Sequence, residues 1–282
     1  MIIWIASYPK SGNTWVRALL SAYLYSDDGV FNFSLLDNIN QFPSRKFFEY
    51  FLSDFTDIKK VSNYWIAAQD RINLYNDKPV FLKTHSALCT FEKNIFTNPT
   101  NTKAVIHVVR DPRNVITSLA HHYSEDIEGS YKFMTTRNML ITKSEWGSEN
   151  FGIATVIGSW GEHYKSWKTN NFSPMLLVRY EDLINDTKKT FKDILKFLGK
   201  IMEVKIDDEK ISNAVRSCSF ENLSTKEDKD GFDEQSKSKK DNKNLKFFYL
   251  GAKNNWKNIL DEKMEKNIRT SFNQEMKDLN YI

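Results

Sequence analysis

Ile2-Ile3-Trp4-Ile5-Ala6 is an unbroken apolar run, the pattern of a strand covered on both faces in a parallel sheet. The polar break that follows carries Pro9 and Gly12. From Thr14 to Tyr25 few positions are polar, and Trp15, Val16, Leu19, Leu20 and Tyr23 predict a helix packed deep against that strand. Short apolar runs bounded by turn residues predict further strands at Val80–Lys83, Ala104–Val109 and Met175–Arg179. Beyond Val109, Asp111 suits an N-cap with Pro112 in the first turn, and the helix should run to about Tyr123. Beyond Arg179, Asp186 suits a second cap, for a helix carrying Phe191, Ile194, Leu195 and Leu198 and ending at Gly199. Strands alternating with helices predict an α/β fold, a single domain over residues 1–282 with a mainly parallel central sheet and helices on both faces.

The stretch Ser224–Lys246 breaks this pattern, because Lys, Asp, Glu, Ser and Asn crowd it and apolar periodicity disappears. It is expected to be a mobile loop, either a plain connector or a lid over a ligand. Composition changes the picture little: 40% apolar and 27% charged residues describe an ordinary globular chain. A net charge of +4, the balance of 40 basic and 36 acidic residues, gives no reason to expect a nucleic-acid partner. Cys89 and Cys218 stand far apart in no metal-binding or redox spacing, which points to two reduced thiols in a cytoplasmic protein. No apolar stretch approaches the roughly 18–20 residues that span a bilayer. The N-terminal run is too short, and lacks the basic flank, for a secretory signal.

Candidate chemistry begins in the break after the first strand, at Ser7-Tyr8-Pro9-Lys10-Ser11-Gly12-Asn13-Thr14. A turn between a strand and a helix N-terminus presents backbone N–H groups and the positive end of the helix dipole, so it favours an anion. Lys10 adds a charge, Gly12 admits close approach, and Ser11 and Thr14 offer hydroxyls. The order of residues is not that of the nucleoside-triphosphatase loop G-x-x-x-x-G-K-[ST], since the lysine precedes the glycine and Ser7 stands where the first glycine belongs. Two further segments lie at the ends of predicted strands: Phe81-Leu82-Lys83-Thr84-His85, and Val109-Arg110-Asp111-Pro112-Arg113 running on to Ser118. Open α/β sheets build their sites at this edge.

Tyr8-Pro9-Lys10-Ser11-Gly12-Asn13-Thr14-Trp15 resembles the loop that binds the 5'-phosphosulfate of 3'-phosphoadenosine-5'-phosphosulfate (PAPS) in cytosolic-type sulfotransferases, with Asn13 in place of the usual threonine. The segment from Val108 to Ser118 resembles the same family's 3'-phosphate site, with Arg110 and Ser118 as its contacts. His85 matches the catalytic histidine, Tyr180 the residue near adenine, and Phe220 the ring stacked on it. Tyr249-Leu250-Gly251-Ala252-Lys253-Asn254-Asn255-Trp256-Lys257 is similar to a segment that usually reads R-K-G-x-x-G-D-W-K. Gly251 can still offer its N–H, but Tyr249 and Leu250 stand where two basic residues are usual, and Lys253 or a lysine of Ser224–Lys246 would have to compensate. A dimer motif of many relatives is altered at Asp261, Glu262 and Lys266, so that dimer is not expected, and the oligomeric state stays open.

The resemblance implies a P-loop-kinase-like phosphate-binding architecture and transfer of a sulfuryl group from PAPS to a hydroxyl or amine, leaving adenosine 3',5'-bisphosphate. It implies His85 as base, Lys10 and Lys83 as cations, and Ser118 as a partner that holds Lys10 back until the acceptor arrives. No metal is called for. The other histidines, at 107, 121, 122 and 163, are expected to be structural or peripheral, and the segment from Gly158 to Trp167 to serve helix packing. The rival readings are a nucleotide kinase, which would need magnesium, and a nucleotide-binding protein without turnover. For the small-molecule acceptor, Trp65, Tyr123, Tyr131, Phe133 and Trp146 suggest an apolar or aromatic compound, and ordinary core packing accounts for them equally well.

Overall fold

A computed structural model describes residues 1–141 and 152–282. The chain folds around a five-stranded sheet: β1 (Ile2–Ser7), β2 (Asn40–Gln41), β3 (Val80–Thr84), β4 (Thr102–Val109) and β5 (Met175–Arg179). The spatial order is β2-β3-β1-β4-β5, and every pairing is parallel. The two-residue edge strand β2 has no apolar run of its own and lies outside what periodicity predicts.

β1 shows why its sequence is apolar at every position. Ile3 and Ile5 point into a core with Val16, Leu19 and Leu20 of helix α1 (Asn13–Tyr25). Ile2, Trp4 and Ala6 point into a separate core with Phe42, Trp65 and Phe96 on the opposite face. A strand's period of two thus serves two layers. Helix α2 (Pro112–Tyr123) starts as expected, with the Asp111 carboxylate accepting from the Arg113 N–H and Pro112 in the first turn. Helix α3 (Trp160–Lys168) opens on a capping box between Ser159 and Glu162 and buries Trp160, His163 and Trp167. Helix α4 (Thr187–Gly199) is capped by Asp186.

Chain order and spatial order together define where a ligand can enter. β1 leads through α1 toward the β3 side of the sheet, whereas β4 leads through α2 toward β5. Adjacent strands whose connections diverge leave a crevice beyond their C-terminal ends. The break after β1, His85 after β3 and Arg110 after β4 all lie at that edge.

The charged stretch Ser224–Lys246 is not loop throughout. Helix α5 (Phe220–Asp230) claims its first third, with Ser219 as cap and Leu223 and Glu227 buried. Strands β6 (Ser236–Lys237) and β7 (Asn244–Leu245) then form an antiparallel hairpin. Few apolar positions were enough, because Phe232 stacks on Phe33 at 4.8 Å and polar groups hold the rest of the segment. Ser236 Oγ donates to the His122 carbonyl, and Glu227 accepts from the N–H groups of Phe247 at 2.5 Å and Phe248 at 2.9 Å.

Candidate active site

The turn after β1 is drawn tight. Lys10 sits in the left-handed region at φ 63° and Gly12 at φ 100°, conformations that cost a non-glycine residue steric strain. Gly12 has a second reason to be glycine: a Cβ there would lie 2.5 Å from Cδ2 of Tyr180. Asn13 fastens the turn to the sheet, its Nδ2 donating to the Ile5 carbonyl at 2.8 Å and to Ser7 Oγ at 3.1 Å. A threonine has no amide to make this pair of bonds. Buried Ser11 Oγ and Asn13 Oδ1 have no partner among the described residues; of the two residues Asn13 lines the cavity, and an orphan at a helix N-terminus marks a group available to a ligand.

His85 leaves the end of β3 and is buried. Its Nδ1 lies 2.8 Å from the Ser7 carbonyl; a carbonyl only accepts, so the proton is on Nδ1 and Nε2 carries the lone pair. Burial first, and the neighbouring charge of Lys83 second, pull its pKa down to about 3, which keeps the ring neutral at ordinary pH. Lys83, buried one turn of strand earlier, is also lowered, chiefly by burial. Lys10 is pulled down to about 7 by loss of hydration, with Glu234 opposing and Lys83 reinforcing the effect.

On the other side of the turn, Arg110 Nη1 donates to the Lys10 carbonyl at 3.0 Å, and its guanidinium stacks over Tyr180 at 4.1 Å. Its Nε is a buried donor without a partner among the described residues. Trp15 meets Tyr180 edge-on at 5.7 Å and anchors its indole N–H on the Cys218 carbonyl. Phe220 presses on the backbone of Gly251, where a Cβ would come within 2.5 Å of the ring. The two aromatic residues expected near a base therefore each rest on a glycine of a different segment.

All of these groups open on one cavity of about 310 Å³, lined by Lys10, Gly12, Asn13, Thr14, Trp15, Lys83, His85, Arg110, Ser118, Tyr180, Phe220 and Gly251. That is within the range of ligand sites. Of the sequence candidates, Ser11 alone is not in this lining, being buried behind the turn.

Several expectations are corrected. The Lys10 ammonium lies 3.7 Å above the ring of Phe247, a neighbour that the sequence did not suggest. Neither Lys253 nor any lysine of Ser224–Lys246 lines the cavity; Tyr249 instead stacks on His121 at 3.8 Å. His121 and His122 are therefore not peripheral, since both face the cavity. His107 on β4 and His163 on α3 do not line the cavity; their buried rings lie 6.0 Å apart. Trp65 is fully buried in the core, and Phe133 and Tyr123 both belong to another core cluster, of which Tyr123 also lines the cavity. Tyr131 hydrogen-bonds Ser271 away from it, and Trp146 falls outside the described residues.

Two site residues were missed. Arg17 follows Asn13 by one helical turn, in a helix whose pattern is otherwise largely apolar. Glu234, in the stretch read as loop, reaches both Arg17 Nη1 at 2.5 Å and Lys83 Nζ at 3.0 Å. A charge within Thr14–Tyr25 was the available signal for Arg17; nothing local distinguished Glu234 from its many charged neighbours.

No helix among the described residues is long and apolar enough to cross a membrane, and no cluster of His, Cys, Asp or Glu among them has the makings of a metal site. Both cysteines are free.

Comparison with known proteins gives a consistent result. The chain is 26% identical to cytosolic sulfotransferase 1 of Arabidopsis thaliana over 97% of its own length and 78% of the relative's. It is 26% identical to sulfotransferase 2B1 of Mus musculus over 77% of its length, and that match spans only about half, 54%, of the mouse protein. Among solved structures, it superposes on mouse sulfotransferase SULT7A1 complexed with PAP with a TM-score of 0.58 and 20% identity, covering 97% of this chain and 84% of that one; at that identity the likeness speaks for the fold. The model of the sulfotransferase domain matches residues 2–280, and the chain belongs to the sulfotransferase family.

Proposed function

We propose that this chain transfers a sulfuryl group from PAPS to the hydroxyl or amine of a small-molecule acceptor, leaving adenosine 3',5'-bisphosphate. The observation that carries this reading is the convergence on one cavity of the turn after β1, His85 at the end of β3 and Arg110 at the end of β4. The turn and the N-terminus of α1 would hold the 5'-phosphosulfate. Arg110, Ser118 and the Gly251 N–H would hold the 3'-phosphate, and Trp15, Tyr180 and Phe220 would enclose the adenine.

In the transfer, the acceptor oxygen or nitrogen attacks sulfur in line with the bridging oxygen. The bond from sulfur to that oxygen breaks, and its electron pair stays on the 5'-phosphate of the leaving bisphosphate. His85 Nε2 takes the acceptor proton; the Ser7 carbonyl, holding Nδ1–H, keeps the ring in the tautomer this needs. Lys83 and Lys10 offset the charge that develops on the sulfuryl and bridging oxygens. A lysine drawn toward pKa 7 gains its proton more firmly as negative charge builds beside it, so its help is largest when the bond breaks.

The test is a panel of phenols, alcohols, amines and sugars incubated with labelled PAPS, with and without magnesium. Label moving to an acceptor, together with release of the bisphosphate, supports the reading. Tight bisphosphate binding with no transfer to any acceptor class would make the chain a nucleotide-binding protein, and magnesium-dependent use of ATP would make it a kinase.

A further inference from the structure

Among the described residues lining the cavity, Glu234 is the one acidic group. Its Oε2 accepts from Thr14 Oγ1 at 2.9 Å, and its Oε1 lies 3.0 Å from Lys83 Nζ and 2.5 Å from Arg17 Nη1. A carboxylate that meets a hydroxyl in the first turn of a helix and two cations beyond it has the surroundings of a bound oxyanion. Burial by itself would raise its pKa, but the charges of Lys83 and Arg17 and the bonds from Lys83 and Thr14 hold it well below the usual carboxylate range, so it is ionised.

The segment that delivers it is built to reach inward from the surface. Gly231, at φ 74° with open space around it, ends α5. Gln235 is tied to Glu227 at 2.7 Å, and Ser236 to the His122 carbonyl. Glu234 lies between that end and those ties. Farther along the same strap, Phe247 covers the Lys10 ammonium. The strap therefore engages both lysines of the candidate site, one with a carboxylate and one with a ring face.

On the donor reading given above, the phosphosulfate needs the same Thr14 hydroxyl and the same Lys83 ammonium. One hydroxyl proton cannot serve two acceptors fully, and a second anion beside an ionised carboxylate is repelled. We propose that Glu234 is a tethered competitor of the donor: its carboxylate and the donor's phosphosulfate hold Thr14 and Lys83 in turn, so that donor binding expels Glu234. Arg17, which also donates to the Leu36 carbonyl at 3.0 Å, is the cation that stays with the displaced carboxylate's side of the site.

If the state open to the donor is about a tenth of the population or less, apparent affinity is reduced by that fraction, so removing the competitor should tighten binding roughly tenfold or more. The measurement is calorimetric titration of the full chain with adenosine 3',5'-bisphosphate, comparing wild type with Glu234→Gln and Glu234→Asp. Glu234→Gln should bind roughly tenfold tighter or better, and Glu234→Asp, whose carboxylate is one methylene short of its partners, should fall between. Should Glu234→Gln fail to fold, Glu234→Asp alone carries the test, with tightening expected. Unchanged or weaker binding in the variants, alongside measurable binding by wild type, overturns the competitor and leaves the donor reading intact. Absence of bisphosphate binding in wild type and variants alike overturns the donor reading and this inference with it.

Discussion

The cavity has two walls of different construction. One is the C-terminal edge of the sheet, where the turn after β1, His85 after β3 and Arg110 after β4 are fixed by parallel strands in register. The other is the strap after α5, which has two-residue strands and is fastened by Glu227, Gln235 and Ser236. The first wall holds chemical groups at set distances; the second brings a carboxylate and a phenyl ring onto them. Positioning for chemistry belongs on rigid elements, whereas access to a ligand needs a part that opens at lower cost than the core.

His85, on the rigid wall, is where a substitution should cost most. His85→Ala should leave bisphosphate binding nearly intact and lower turnover of an aliphatic alcohol by roughly 10²- to 10⁴-fold, with a smaller loss for a phenol already ionised at the assay pH. With the His85 pKa near 3, no histidine limb should show in the wild-type rate between about pH 5 and pH 8. Full turnover in His85→Ala would move the base to another residue, with His121 and His122 next in line.

Lys10→Ala should lower turnover by roughly 10²- to 10³-fold, more than it weakens binding, as for other groups aimed at developing charge. A pH series sharpens the point. Lys10 with a pKa near 7 must gain a proton to greet an anion above that pH, so wild-type bisphosphate affinity should fall by up to about tenfold per unit above pH 7. The variant should lack that slope, and a slope that persists would assign it to another group.

Arg110→Ala tests the opposite end of the rigid wall. Adenosine 3',5'-bisphosphate should raise the thermal midpoint of wild type more than AMP does, and the variant should lose most of that difference, roughly tenfold to a hundredfold in relative affinity. An unchanged preference would remove Arg110 from the 3'-phosphate.

A fourth variant touches the strap alone. Glu227→Ala leaves the buried N–H of Phe248 and the part-buried N–H of Phe247 without their acceptor and should cost about 1–3 kcal/mol, read as a lowered denaturation midpoint. Hydrogen exchange should quicken in residues 232–248 and stay slow in β1 and β4; equal loosening of the sheet would erase the distinction between the walls.

The last expectation concerns acid. His85 and His107 are neutral when folded, with burial as the first cause of pKa values near 3, against about 6.5 when unfolded. A depressed folded pKa means the unfolded chain binds more protons, so this stability is complete above about pH 6.5 and is lost as pH falls toward 3. The loss is about 1.4 kcal/mol per histidine for each pH unit below 6.5. Urea titrations at pH 6.5 and 5.5 should show it, and His107→Asn should reduce the slope.

The rigid wall was legible because its information is local. The Ile2–Ala6 run, the Asp111-Pro112 start of α2 and the Asp186 cap each record a backbone preference or a two-sided burial within a few residues, and each element lies within two residues of its expected bounds. Lys10, His85 and Arg110 could be picked out because each follows a recognisable strand and each belongs to a segment that resembles a known family. The strap was not legible for the opposite reason: it is held by scattered contacts, among them Ser236 on the His122 carbonyl and Phe232 stacked on Phe33, which leave no period to count.

The amino-acid sequence by itself determined the alternation of strand and helix, the turn after β1 and the family, since these rest on contacts among neighbours and on residue order. Tertiary structure decided that Trp65 is core while Tyr123 faces the cavity. It decided that Tyr180 and Phe220 each lean on a glycine, and that Glu234 lies 217 positions from Arg17 in the chain yet against it in space. The reason is physical: one carboxylate among many charged residues becomes special only when folding removes it from water and leaves Lys83, Arg17 and Thr14 as the groups that can satisfy it.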